Sequence, residues 1–79
     1  MLRYKAEKIK SNFKNNHPNH IEVGFTFEGM GDYPIEGEAF LLVREGRIFQ
    51  TSVVKIIDRD KGIIETINSI YKITEISDK

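Results

Sequence analysis

Ile21, Val23, Phe25 and Phe27 alternate with Glu22, Gly24, Thr26 and Glu28, and this period of two predicts a half-buried antiparallel strand. The stretch Glu28-Gly29-Met30-Gly31-Asp32-Tyr33-Pro34 is punctuated by glycine and predicts a loop. Glu38 to Val43 is almost continuously apolar, the pattern of a central strand. Arg44-Glu45-Gly46-Arg47 then turns the chain into Ile48 to Ile57. In that run neither parity is cleanly apolar, and a bulge near Thr51-Ser52 that swaps the inward face reconciles its two halves. Asp58-Arg59-Asp60-Lys61-Gly62 has the composition of a hairpin turn. The last segment, Ile63 to Ile76, repeats the ambiguity of parity, with Asn68-Ser69 as its irregular point.

The first residues admit two readings. Leu2, Ala6, Ile9 and Phe13 recur at helical spacing with Arg3, Lys5, Lys8 and Lys10 on the other side, which favours an amino-terminal helix. Leu2, Tyr4 and Ala6 can instead be the inward side of a first strand, and no convincing helix cap precedes them. Asn15-Asn16-His17-Pro18-Asn19 ends either element, because the residue before a proline avoids helical geometry and asparagine suits turns. Two long bent strands joined by tight turns are what small barrels use to curve a sheet. The expected fold is therefore mainly β, or α+β if the helix forms: a small SH3-like or OB-like, partly open antiparallel barrel occupying residues 1–79 as one domain.

A chain of 79 residues removes only about 60% of its unfolded surface from water, so oligomerisation is a natural source of further stability. The absence of cysteine excludes disulfides and thiolate metal sites. Twelve basic and twelve acidic residues cancel, but residues 1–14 carry Arg3, Lys5, Lys8, Lys10 and Lys14 against Glu7, whereas residues 22–38 carry Glu22, Glu28, Asp32, Glu36 and Glu38 with no base. This balance argues against strong nonspecific nucleic-acid binding while leaving a local basic patch. No apolar run approaches the roughly 20 residues of a membrane span, and the polar amino terminus lacks the apolar core of a signal peptide. A soluble, cytoplasmic protein is expected.

His17 and His20 have a spacing that a metal could bridge, but a usable zinc site needs at least three ligands, and a solvated turn explains them better. Asp58 to Gly62 lacks the distal glutamate of a calcium loop. No nucleophile elbow, phosphate loop or dinucleotide fingerprint is present, which argues against an enzyme and against a cofactor. Glu36 and Glu38, expected on one face of a strand, read as a solvated acidic edge. Phe25 and Phe27 read as core because their strand is acidic on its other side, whereas Tyr33 in the glycine loop reads as a ligand or partner contact.

The richest chemistry lies in two phrases, Gln50-Thr51-Ser52-Val53-Val54 and Glu65-Thr66-Ile67-Asn68-Ser69-Ile70-Tyr71. On adjacent antiparallel strands their hydroxyl and amide groups form a polar seam. Thr51, Ser52, Thr66, Asn68, Ser69 and Tyr71, with Arg44 or Arg47 supplying positive charge, suit a nucleotide-like ligand. The alternative is structural: the hydroxyls satisfy bulged backbone groups, Asn68 takes a turn conformation, and Tyr71 packs its ring.

Gly37-Glu38-Ala39-Phe40, Arg47, Thr51-Ser52-x-Val54 and Thr66-x-Asn68-Ser69-x-Tyr71 resemble a pattern in short uncharacterised proteins of phages and bacteria. It covers about half the chain, and Val53 stands where many of those proteins have proline. The resemblance implies a small β-barrel-like domain and a phage origin, and it carries over no catalytic residue. With the seam, it leads to the expectation of a homo-oligomeric, non-enzymatic accessory protein that sequesters a nucleotide-like signal. Two alternatives are a module that binds a host or virion protein through the acidic residues 22–38, and a weak nucleic-acid-binding barrel using residues 1–14.

Overall fold

The computed structural model describes residues 2–11 and 22–76. Six strands, β1 (Leu2–Ser11), β2 (Thr26–Gly31), β3 (Ala39–Arg44), β4 (Arg47–Asp58), β5 (Ile63–Thr66) and β6 (Ser69–Ile76), follow one another round a closed antiparallel barrel. The small, mainly-β barrel read from the sequence is what forms, with its wall closed where a partly open one was expected. Tyr4, Ala6, Phe40, Leu42, Phe49, Val54, Ile64, Tyr71 and Ile73 fill the interior.

The amino-terminal helix does not form. Of its described apolar face only Ala6 is buried; Leu2 and Ile9 are exposed, whereas Tyr4, Ala6 and Lys8 point inward. This is strand parity, and β1 earns it by pairing with β2 on one side and β6 on the other. Two ladders and a barrel closure outweigh the local helix preference of Ala, Glu and Lys. Phe13, the turn at residues 15–19 and both histidines lie outside the described residues.

The second strand starts later and ends later than its alternation suggests. Glu22 to Phe25 form a turn, with Gly24 at φ 95° and the Phe25 amide donating to the Glu22 carbonyl. β2 then runs through the glycines that had read as a loop. Its ladder with β3 is short, Met30 opposite Val43, and the backbones come close there. A methyl group at Gly31 would collide with the Leu41 carbonyl oxygen, so that position requires glycine for want of room. Glu36 and Glu38 sit exposed in the turn before β3 instead of sharing a strand face.

Both predicted hairpin turns form. At Arg44-Glu45-Gly46-Arg47 the two central residues have positive φ, 49° and 80°, the geometry that matches the twist of a two-residue hairpin. At the β4–β5 turn the Asp58 carboxylate accepts the Lys61 amide at 3.2 Å. The bulge in β4 also forms where expected: Gln50 opposes Leu41 and Val53 opposes Ala39, so β4 carries one extra residue at Thr51-Ser52. The buried side switches accordingly, from Phe49 and Thr51 to Val54. The Ile63–Ile76 segment is two strands, because Thr66 to Ser69 reverse the chain and Ile64 comes to face Tyr71.

Replacing Gly31 by alanine should therefore cost about 1–3 kcal/mol by overpacking, measured by urea unfolding. An unchanged midpoint would show that the β2–β3 seam is looser than described.

Candidate functional site

The polar seam exists, and its Thr51, Ser52 and Thr66 hydroxyls are engaged with backbone. β4 and β5 are neighbours with Val54 opposite Thr66, so the two phrases meet as expected. Thr51 Oγ1 accepts the Phe40 amide at 3.0 Å and donates to the Ser52 carbonyl at 2.7 Å. Ser52 Oγ accepts the Asn68 amide at 3.0 Å. Thr66 Oγ1 accepts the Ser69 amide and donates to the Ser69 carbonyl, both at 3.0 Å. Thr51, Thr66 and Ser69 are buried, and Asn68 is half-buried in the turn. Tyr71 is buried with its ring edge-on to Phe49, centroids 5.4 Å apart. Burial pushes its hydroxyl pKa up, with a hydrogen bond to the Ser69 side chain pulling the other way. Thr51, Ser52 and Thr66 supply the hydrogen bonds that a bulge and a tight turn take from the ladder.

Arg44 and Arg47 are opposed on the exposed β3–β4 hairpin. Arg47 and Thr51 are four steps apart along β4, about 13 Å at roughly 3.3 Å per residue. The arginines therefore stand apart from the seam and join a different set of residues. Phe25, Thr26, Phe27, Glu28, Arg44, Glu45 and Arg47 line a depression of about 520 Å³. A contiguous one of about 780 Å³ adds Ile48, Phe49 and Gln50. Phe25 and Phe27 both stack on Phe49, with centroids 6.1 and 5.6 Å apart and ring planes within 21° and 18° of parallel. Phe49 is buried, Phe27 half-buried and Phe25 41% exposed. The alternation in Ile21–Glu28 concealed this, because Phe25 occupies an inward parity at the point where the strand has not yet begun.

Tyr33 is half-buried beside a second aromatic group. It meets the buried Tyr4 edge-on at 6.5 Å, Tyr4 meets Phe40 edge-on at 6.0 Å, and the Arg59 guanidinium lies 4.6 Å from the centre of the Tyr33 ring. Tyr33 also lines a groove of about 290 Å³ along the β2–β3 seam with Met30, Ile35, Leu41 and Val43. The Tyr4 hydroxyl is buried and has no hydrogen-bond partner among the described residues. Burial first, then the charge of Glu75 and the nearby Tyr33 and Asp32, raises its pKa. Lys8, the one inward cation of β1, has its pKa lowered by burial. Among the described residues no three His, Cys, Asp or Glu side chains stand together as a metal site, and no helix is long and apolar enough to cross a membrane.

Comparison with known proteins finds no matching family model, no matching curated protein and no matching solved structure.

The two buried tyrosines should make the protein labile to alkali. A tyrosine whose pKa is raised on folding contributes stability that is complete below the unfolded value of about 10 and lost as pH rises through the folded value. Lys8 acts oppositely, its burial penalty easing as pH rises toward the unfolded lysine value. The Tyr4→Phe variant should match or exceed the wild type near neutrality, since it removes an unpartnered buried hydroxyl, and should lose stability less steeply above pH 10. Parallel stability–pH curves for the two proteins would contradict this.

Proposed function

We propose that the chain is a non-catalytic binding protein for a nucleotide-like small molecule, held in the cleft of Phe25, Phe27, Arg44 and Arg47. The observation that supports this reading is the partly exposed aromatic stack of Phe25 and Phe27 on Phe49, rimmed by two arginines. A planar base laid on an exposed aromatic face gains about 1–3 kcal/mol, and a guanidinium grips phosphate through paired donors. Glu28 and Glu45 line the same cleft, so its formal charge balances. That balance favours a ligand with few phosphates over a long polyanion, and the carboxylates suit the amino and hydroxyl groups of a nucleoside. Thr51, Ser52 and Thr66 already hold backbone amides, which favours the cleft over the seam as the site. The resemblance to short phage and bacterial proteins suggests the setting: a phage-type accessory protein in the host cytoplasm, sequestering a nucleotide signal.

Isothermal titration with adenosine monophosphate, a cyclic dinucleotide and ADP-ribose tests the reading. At least one should bind at or below millimolar concentration, and Phe25→Ala or Arg47→Ala should weaken it about tenfold, the effect of losing ~1.4 kcal/mol. No binding at millimolar ligand, or binding indifferent to both variants, would overturn it.

A further inference from the structure

Arg44 and Arg47 are partners across the β3–β4 hairpin, the last pair before its two-residue turn. Residues directly opposite on an antiparallel pair hold their Cβ atoms about 5 Å apart, and like charges placed there repel. Alternation puts both side chains on the inward side of the wall: Arg44 follows Phe40 and Leu42 along β3, and Arg47 precedes Phe49 along β4. Val43 and Ile48, the neighbouring pair, face outward in a row with Met30. The two guanidiniums therefore share the mouth of the barrel, where Phe25 and Phe27 line the same depression. Among the described residues neither arginine has an ion pair, and the Glu28 carboxylate lies with Arg3 at 3.7 Å. Glu45, in the turn, is the remaining carboxylate of the depression, set against two cations.

We propose that Arg44 and Arg47 close as one clamp on a single terminal phosphate, so that the cleft selects a nucleoside monophosphate over a phosphodiester or an unphosphorylated nucleoside. The nucleoside part of this inference rests on the reading of the cleft given above; the phosphate part does not. A phosphate monoester carries a charge of about −1.5 to −2 at neutral pH and three terminal oxygens. It can accept from both guanidinium forks at once, which cancels the repulsion between them. A diester carries one charge and one fewer terminal oxygen, and leaves one of the two cations uncompensated. Each further phosphate of a longer chain adds charge beyond the pair, beside Glu28 and Glu45.

Two measurements separate the clamp from the nucleotide reading. In thermal unfolding without nucleotide, inorganic phosphate should raise the wild-type midpoint above that in sodium chloride of equal ionic strength. Arg44→Gln and Arg47→Gln should each lose most of that shift. In isothermal titration, adenosine monophosphate should bind about tenfold or more tightly than adenosine and than cyclic adenosine monophosphate, a diester with the same base. Either variant should collapse that preference, with circular dichroism confirming that it is folded. Phosphate stabilisation that both variants lose, with no nucleotide bound, upholds the clamp and overturns the nucleoside part. Equal binding of the three ligands keeps the cleft as a nucleoside site and overturns the clamp. A wild type indifferent to phosphate, or a phosphate shift that survives in both variants, overturns it too.

Discussion

At the β4 bulge and the β5–β6 turn backbone groups lose their ladder partners, and the hydroxyls of Thr51, Ser52 and Thr66 replace them. Thr51 holds the Phe40 amide across the β4 bulge, Ser52 holds the Asn68 amide across the wall, and Thr66 closes its own turn onto Ser69. Leaving a buried amide or carbonyl unpaired costs about 1–3 kcal/mol, a substantial share of the roughly 5–15 kcal/mol that stabilises a whole domain. The rest of the barrel follows from these bonds. The bulge lets β4 place Phe49 and Thr51 inside at one end and Val54 inside at the other, while the Thr66 turn returns the chain so that β6 can pair with β1. A straight β4 would turn half its apolar residues to water.

This explains why the hydroxyl phrases advertise chemistry in the sequence yet serve architecture in the fold. Small barrels fill their interiors with side chains, and here Tyr4, Phe40, Leu42, Phe49, Ile64 and Tyr71 do so. The exposed aromatic and apolar side chains lie at the rim and on the outer wall. The aromatic–arginine cleft lies beside the β3–β4 hairpin, and the Met30–Val43–Ile48 row lies on the outside of the same strands. Both are products of β3, whose alternate residues, Phe40 and Leu42 against Leu41 and Val43, are apolar on both sides although only one is covered.

Much of this was legible in the residues. The hairpins at Glu45-Gly46 and at Asp58 to Gly62 followed from turn chemistry, and the bulge at Thr51-Ser52 from the failure of either parity to stay apolar. The first strand was harder, because Leu2, Ala6 and Ile9 fit a helical face while Tyr4, Ala6 and Lys8 fit a strand only if a lysine is allowed inward. The glycines of β2 read as a loop, since the need for room beside the Leu41 carbonyl cannot be inferred without knowing what packs there. The same limit hid the union of Phe25 and Phe27 with Arg44 and Arg47, which depends on how β2 and the hairpin lie side by side. Thr66 to Ser69 as a turn was partly visible in Asn68-Ser69; Thr66 bonding its own turn was the missing step.

Amide hydrogen exchange combined with urea unfolding of Thr51→Val and Thr66→Val tests the central claim most directly. In the wild type the Phe40, Asn68 and Ser69 amides should be protected. Thr51→Val should speed exchange at Phe40, and Thr66→Val at Ser69, each variant losing about 1–3 kcal/mol of stability. Unchanged protection and stability in both variants, accompanied by loss of nucleotide binding, would show that these hydroxyls serve a ligand and not the wall.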